Sequence, residues 1–562
     1  MADFADIVFV DGWIFSAPQD APVRADVAVA DGRIMAVGAA EDIAALVGEN
    51  TDVVPLTGRL LLPGFQDAHI HPVAGGIELL QCDLTGAKDA EDCLRLIADY
   101  ARAHPHAEWI MGAGWSMEFF AGGTPTRDLL DAVIPGRPVA LMNRDHHGMW
   151  VNSRALGLAG VTAETPDPID GRIERTQGGE PSGTLHEGAM DLVGRFAPSA
   201  TGDLADRGLL RAQEYLHSFG VTSWQDALLG SGLGMEDSTM TYLDAVARGE
   251  LTMRTVAAIW WERGRGLEQL PEIIDRRARI RDADPSGHFR ASAVKIMVDG
   301  VPENFTAAMS QPYRDAHGDV TENLGLSFID PEDLKVCVTA LDAAGFQVHF
   351  HALGDRAVSE SLDAIEAARE ANGDLGNRHH LAHLQVVGMR DIPRFAELGT
   401  IANMQMLWAA HARQLDELNV PFLAPELVER YYPFGDLARA RAQLCAGSDW
   451  PVSSPDPIAA IHVGVNRISE GSVERPLGEQ QQLSLAAAVT AYTWGSAVVN
   501  RQEHETGKIA VGYLADLAVL DRNFFDLPAE DIHLTSVLRT YSAGSLVYRR
   551  GDESPDVSTG HQ

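Results

Sequence analysis

Through the middle of the chain, short apolar runs rich in β-branched and aromatic residues alternate with longer stretches whose apolar positions recur at helical spacing. That alternation predicts parallel βα units, because a strand covered on both faces is apolar throughout while its covering helix is apolar along one stripe. The runs fall at 65–71, 221–226, 253–260, 291–299, 346–351, 379–384, 400–406 and 444–449. Eight of them predict an α/β fold of the (β/α)8 TIM-barrel type, with an open doubly wound sheet as the alternative built from the same units. Two connecting helices are legible at 331–344, which Gly345 follows, and at 357–371.

The two chain ends have a different texture. Near the start, Ile7-Val8-Phe9-Val10 precedes Asp11-Gly12, and Val27-Ala28-Val29 precedes Asp31-Gly32, so short strands and hairpins are expected at both Asp-Gly pairs. Gly512-Tyr513-Leu514-Ala515-Asp516-Leu517 and Ser545-Leu546-Val547-Tyr548 look alike at the other end. Isolated hairpins are marginal, so 1–62 and 505–550 are expected to complete one small β-sandwich around a barrel at 63–504. About 150 residues separate the first two barrel runs, far more than one crossover needs. An inserted α/β subdomain is therefore expected at about 85–205, holding the runs Trp109-Ile110-Met111-Gly112 and Pro138-Val139-Ala140-Leu141-Met142 and a helical segment at 128–133.

Composition narrows the class. A chain of 562 residues, 45% hydrophobic and 22% charged, is an ordinary globular protein with room for an enzyme. Acidic residues outnumber basic ones by 80 to 44 and are spread along the chain, which argues against nucleic acid as a partner. Cys82, Cys93, Cys337 and Cys445 form no CxxC pair, as expected of buried residues in a reducing compartment. The acidic start is unlike a signal peptide, and no apolar run nears the roughly 18 residues that span a membrane, so a cytoplasmic location without membrane contact is expected.

In a barrel, reactive groups collect at the C-terminal strand ends. Five of the eight runs carry a ligand-type residue there: His69 and His71, Lys295, His349 and His351, His383, and Asp449. Histidines two apart on a strand share a face, and neutral imidazole is a ready metal ligand. A lysine among apolar neighbours either lies on an exposed face or is buried, where its lowered pKa frees the amine to add carbon dioxide and become an anionic carbamate. Periodicity does not choose between His349 and His351, or between His379 and His383.

The set Pro63-Gly64-Phe65-x-Asp67-x-His69-x-His71, Lys295-Ile296-x-x-Asp299-Gly300, His351-Ala352-x-Gly354-Asp355, Leu381-Ala382-His383 and Gly447-Ser448-Asp449-x-Pro451-Val452 resembles the metal-dependent amidohydrolase superfamily, in its YtcJ-like branch. The resemblance covers nearly the whole chain. It implies two divalent cations, zinc foremost, with manganese, iron, cobalt or nickel compatible. His69, His71 and Asp449 would hold the more buried ion, His351 and His383 the second, and carboxylated Lys295 would bridge them. His349 and His379 then become supporting histidines, and Asp355 a helix cap or salt-bridge partner.

The same resemblance makes Trp115, His147 and Glu187 parts of segments closing over the site. Trp115, His147 and Trp150 are expected against the substrate, with Phe119, Phe120 and Trp408 as further apolar candidates. His147 would donate to the carbonyl oxygen, its alternative being a structural partner within the insertion. Asp145-His146-His147-Gly148 departs from the family pattern and leaves open which imidazole faces inward. His380-Leu381-Ala382-His383 lacks the family's glutamate before the last histidine.

The implied reaction is cleavage of a C–N bond in an amide, N-acyl amine, formamide or cyclic amide by a metal-bridging hydroxide. Asp449 would take the proton and return it to the leaving nitrogen. An esterase, lactonase or carbamate hydrolase would use the same site, and a non-catalytic regulatory scaffold is the reading from another class. A small-molecule substrate and a homodimer are the partners the resemblance implies.

Overall fold

Eight parallel strands follow one another in sequence order around one sheet: β1 (Phe65–Ile70), β2 (Val221–Leu229), β3 (Arg254–Trp260), β4 (Phe289–Met297), β5 (Gln347–Ala352), β6 (His380–His383), β7 (Ile401–Met404) and β8 (Gln443–Ala446). β1 and β2 are buried at every position, which is why their sequences read as continuous rather than alternating apolar runs. The strand order never reverses, so this is the TIM barrel and not the open sheet. The computed structural model describes residues 4–233, 235–472 and 474–551.

The seam between β1 and the end of β8 is bridged by main chain. Asp449 N–H donates to His69 O (2.8 Å), and His71 N–H donates to Trp450 O (2.9 Å). Gly447 makes this approach possible, since a Cβ there would stand 2.6 Å from the His69 nitrogen. Asp67 ties the same seam by accepting the Ser448 N–H at 3.0 Å.

Strands of both chain ends join in one sheet of eight. Ser545–Arg549, Val537–Ser542, Leu517–Leu520, Leu60–Pro63, Ile7–Ile14, Val23–Ala30 and Arg33–Gly38 run in that order, with Asp52–Pro55 branching from Ile7–Ile14. The two ends share one branched sheet around the core of Phe9, Val27, Leu61, Leu517 and Tyr541. Of the two Asp-Gly pairs, only Asp31-Gly32 turns a hairpin, with φ of 51° and 72° as a two-residue primed turn requires. Asp11-Gly12 instead lies inside a strand at a register shift. There the Asp11 N–H is held by the Asp26 carboxylate at 2.9 Å, so the pair makes a bulge.

The insertion carries a second sheet, in the order Gly171–Arg175, Pro181–Glu187, Gly148–Val151, Val139–Asn143, Ile110–Trp115 and Cys82–Asp83. Helix Ala90–Ala103 packs Cys93 and Ile97 against one face of it.

The chain leaves β1 into helix α1 (Pro72–Glu78) and later re-enters the barrel through α2 (Asp203–His217). The two helices meet where Gly76 touches Gly208: a Cβ on Gly76 would lie 1.8 Å from the Gly208 carbonyl oxygen. Because α1 starts directly after His71, this contact sets how the first strand end is presented. Gly76→Ala is expected to destabilise the protein by about 1–3 kcal/mol. It should lower the thermal unfolding midpoint, whereas Gly86→Ala, with nothing within 4 Å of the added carbon, serves as control.

Candidate metal centre

The barrel gathers the ligand-type residues at one mouth. His69 lies in β1 with His71 just beyond it, Lys295 in β4, His351 in β5, His383 at the end of β6, and Asp449 three residues past β8. Asp449 Oδ1 stands 3.1 Å from His69 Nε2 and 3.3 Å from His71 Nε2. Its Oδ2 is 3.9 Å from His383 Nδ1. Donor atoms of His69, His383 and Asp449 all lie within 4.8 Å of one another, a spacing that admits one ion. Lys295 Nζ is 3.4 Å from His69 Nε2, and the His351 ring lies 4.6 Å from that of His383.

Burial sets the protonation of this cluster. It lowers the His69 pKa to about 3, with the Lys295 charge acting the same way, and holds His351 and His383 well below the ordinary value. These imidazoles are therefore neutral, with lone pairs free. Burial also lowers Lys295 to about 8, against the pull of Asp449 and Asp226. Burial opposes ionisation of Asp449, but the adjoining imidazoles hold its carboxyl well below the usual range. Several buried atoms here have no hydrogen-bond partner: His71 Nδ1, His351 Nδ1 and both ring nitrogens of His383. Orphaned polar atoms are costly, and their convergence is what a cation site requires.

Supporting residues account for several motif positions. His349 is not aimed at the mouth; its Nε2 meets His69 Nδ1 at 2.7 Å, which fixes the tautomer of that imidazole. His379 faces away, its Nε2 at 3.0 Å from Asp342. Asp299 accepts the N–H groups of Ala308, Leu353 and Gly354 and stands 3.4 Å from His351 Nδ1. Asp355 opens a helix and accepts from Ser310, without reaching the mouth.

His147 and His146 diverge. His147 Nδ1 is 2.9 Å from Glu187 Oε2, its ring is 5.6 Å from that of His351, and it lines a cavity of about 240 Å³ together with His351, His383, Trp408 and Asp449. His146, at φ 64°, pairs instead with Glu78 (3.2 Å) in a neighbouring cavity. Trp408 lies parallel to the His383 ring at 5.3 Å.

Trp115 and Trp150 require correction as substrate contacts. Both are fully buried in the core of the insertion, and neither lines a cavity at the mouth. Their indole N–H groups are spent on Leu141 O and Thr126 O. Trp150 shares the Leu141 face by strand alternation, and Trp115 reaches the same core through the register shift at Gly114 (φ 99°) between Ala113 and Trp115.

Two acids at the mouth escaped the sequence reading. Asp226, on β2, is raised by burial to about 6 and accepts from Tyr242 Oη at 2.8 Å. Glu303 lines the smaller cavity, held by Gln414 at 2.7 Å. An acid late in an apolar strand was the available signal for Asp226; Glu303 sits in a single 3-10 turn, Pro302–Asn304, that gives none.

Comparison with known proteins decides the family. The family model described as amidohydrolase family matches residues 52–548. The chain belongs to the amidohydrolase family. Its relatives include Protein LONG AFTER FAR-RED 3 of Arabidopsis thaliana, 30% identical across 97% of this chain and 92% of that one. The putative amidohydrolase YtcJ of Bacillus subtilis is also 30% identical, over 96% and 98%. N-substituted formamide deformylase of Arthrobacter pascens is 27% identical, over 98% and 99%. Among solved structures, an uncharacterized metal-dependent hydrolase from Pyrococcus horikoshii shares the fold with a TM-score of 0.71, 23% identity and coverage of 93% and 99%. This amidohydrolase is a hydrolase acting on carbon–nitrogen bonds.

Burial by itself lowers the pKa of His147, but the Glu187 carboxylate outweighs it and raises the value to about 9. A folded value above the unfolded one, about 6.5, means that this pair stabilises the fold fully below that pH and loses the contribution as pH rises through about 9. NMR titration of metal-free protein should find His147 charged at pH 7.5, and Glu187→Gln should leave it neutral there.

Proposed function

We propose that the protein is a binuclear metal-dependent hydrolase cleaving the C–N bond of an amide, N-acyl amine, formamide or cyclic amide. The supporting observation is the convergence of His69, His71, Lys295, His351, His383 and Asp449, with unpaired buried donor atoms, on one barrel mouth beside a cavity. In this reading His69, His71 and Asp449 would hold one ion, His351 and His383 the other, and a carboxylated Lys295 would be a ligand to both. Nitrogen and carboxylate donors suit zinc, with manganese, iron, cobalt or nickel compatible. A Lys295 pKa near 8 leaves part of the amine neutral and able to add carbon dioxide. When bound, such ions supply an activated water and polarise the substrate carbonyl.

The chain's own groups do the rest. Asp449, held ionised at neutral pH by the adjoining imidazoles, receives the proton and hands it to the leaving nitrogen. His147 spends Nδ1 on Glu187, so Nε2 is its remaining donor for the developing oxyanion in the cavity. Trp408 and the loop after β7 wall the cavity and limit access of bulk water. A small molecule is the partner this cavity fits. A cytoplasmic location and a homodimer belong to the same proposal; the four cysteines are free and buried, as a reducing compartment would leave them.

Elemental analysis of protein purified without chelator should find two metals per chain, with intact mass showing carboxylated Lys295. A metal-free protein after repeated loading would overturn the reading. Asp449→Asn is expected to abolish amide hydrolysis in a folded chain, and substantial turnover would exclude it as proton shuttle. His147→Gln should lower kcat by about a hundredfold with KM little changed, in steady-state assays of the metal-loaded enzyme.

A further inference from the structure

Beside the smaller cavity lies a larger one, of about 550 Å³, whose floor includes His71 and Asp226. Its size falls in the range of small-molecule sites. The two cavities lie on either side of the turn bearing His146 and His147, each lined by one of the pair. They come close together at the ligand cluster, since Asp449 lines one, His71 lines the other, and their atoms stand 3.3 Å apart.

The roof is one face of the inserted sheet. Met149 pairs with Met142, Met111 pairs with Ala140, and Ala140 and Met142 are two apart on one strand, so all four side chains share a face. The opposite face, with Leu141 and Trp150, is closed by helix Ala90–Ala103. On the methionine face, Val151 and Ala155 are packed within the insertion, but Met111 and Met142 stay only partly buried over the cavity. Unbranched methionines adapt to varied apolar shapes, and covering them removes apolar surface from water. At the rim, Asp191, Glu236 and Asp237 outnumber Arg195, which disfavours an anionic group.

We propose that this larger cavity is a second lobe of the active site, taking a neutral apolar substituent on the leaving nitrogen. The proposal rests on the hydrolase reading above: with the carbonyl oxygen toward His147, the leaving nitrogen lies toward Asp449 and His71, where the lobe opens. The scissile bond then sits between a polar lobe and an apolar one, and the inserted sheet selects among amides by what their nitrogen carries.

The test uses metal-loaded full-length protein and the formamides of methylamine, propylamine and hexylamine. We expect kcat/KM to rise by about threefold per added methylene. Met142→Trp fills the lobe and should cut the hexyl-to-methyl ratio about tenfold, while Met142→Ala should move the preference to longer chains. A ratio near one, or an equal rise when the acyl chain is lengthened instead, overturns the proposal. If no formamide is turned over, the formamide part of the hydrolase reading falls, but calorimetric binding of N-hexylformamide against N-methylformamide still reads the lobe. Equal binding of the two would overturn it.

Discussion

A buried carboxylate with three imidazoles around it keeps its charge only if the backbone carries it to that place and holds it there. Asp449 depends on the seam where the barrel closes. Main-chain hydrogen bonds from Asp449 to His69 and from His71 to Trp450 bring the first and last strand ends together. The missing side chain at Gly447 permits the approach, and Asp67 accepts the Ser448 N–H just before the turn. Asp67 is itself raised to about 7 by burial. The geometry of the mouth is thus a consequence of closure, and α1, packed through Gly76 onto α2, braces the same strand end from outside.

Beneath the mouth the barrel interior is polar where most barrels are filled by aliphatic layers. His69 meets His349, His349 lies 4.0 Å from the His380 ring, and His380 meets Gln225 at 3.0 Å. Gln225 continues to Gln347 and Asn500. Hydrogen bonds link His380, Gln225, Gln347 and Asn500, while His349 meets His380 ring to ring and its Nδ1 has no partner.

The insertion divides its labour by strand alternation. One face supplies its own core around Trp115 and Trp150, and the other faces the barrel mouth. The turn between two of its strands delivers His147 to one cavity and His146 to the other. A subdomain that folds on its own face thereby imposes shape and charge on a site whose reactive groups belong to the barrel.

Residue types and spacing determined much of this protein. Continuous apolar runs marked the barrel strands because burial on both faces leaves no polar alternation; His69, His71, Lys295 and Asp449 stood out as ligand types in such runs, whereas His351 and His383 were set apart from His349 and His379 only by the motif resemblance. Asp31-Gly32 was readable as a turn because only its conformation fits two adjacent positive φ values, whereas the same dipeptide at Asp11-Gly12 became a bulge under the pull of Asp26, a partner 15 residues away. Only the tertiary structure decided which face of the inserted sheet Trp115 and Trp150 occupy, which of His146 and His147 enters the smaller cavity, and that His349 serves His69. Period two assigns residues to a face but does not say what covers that face; the closing of the barrel and the docking of the insertion on its mouth do.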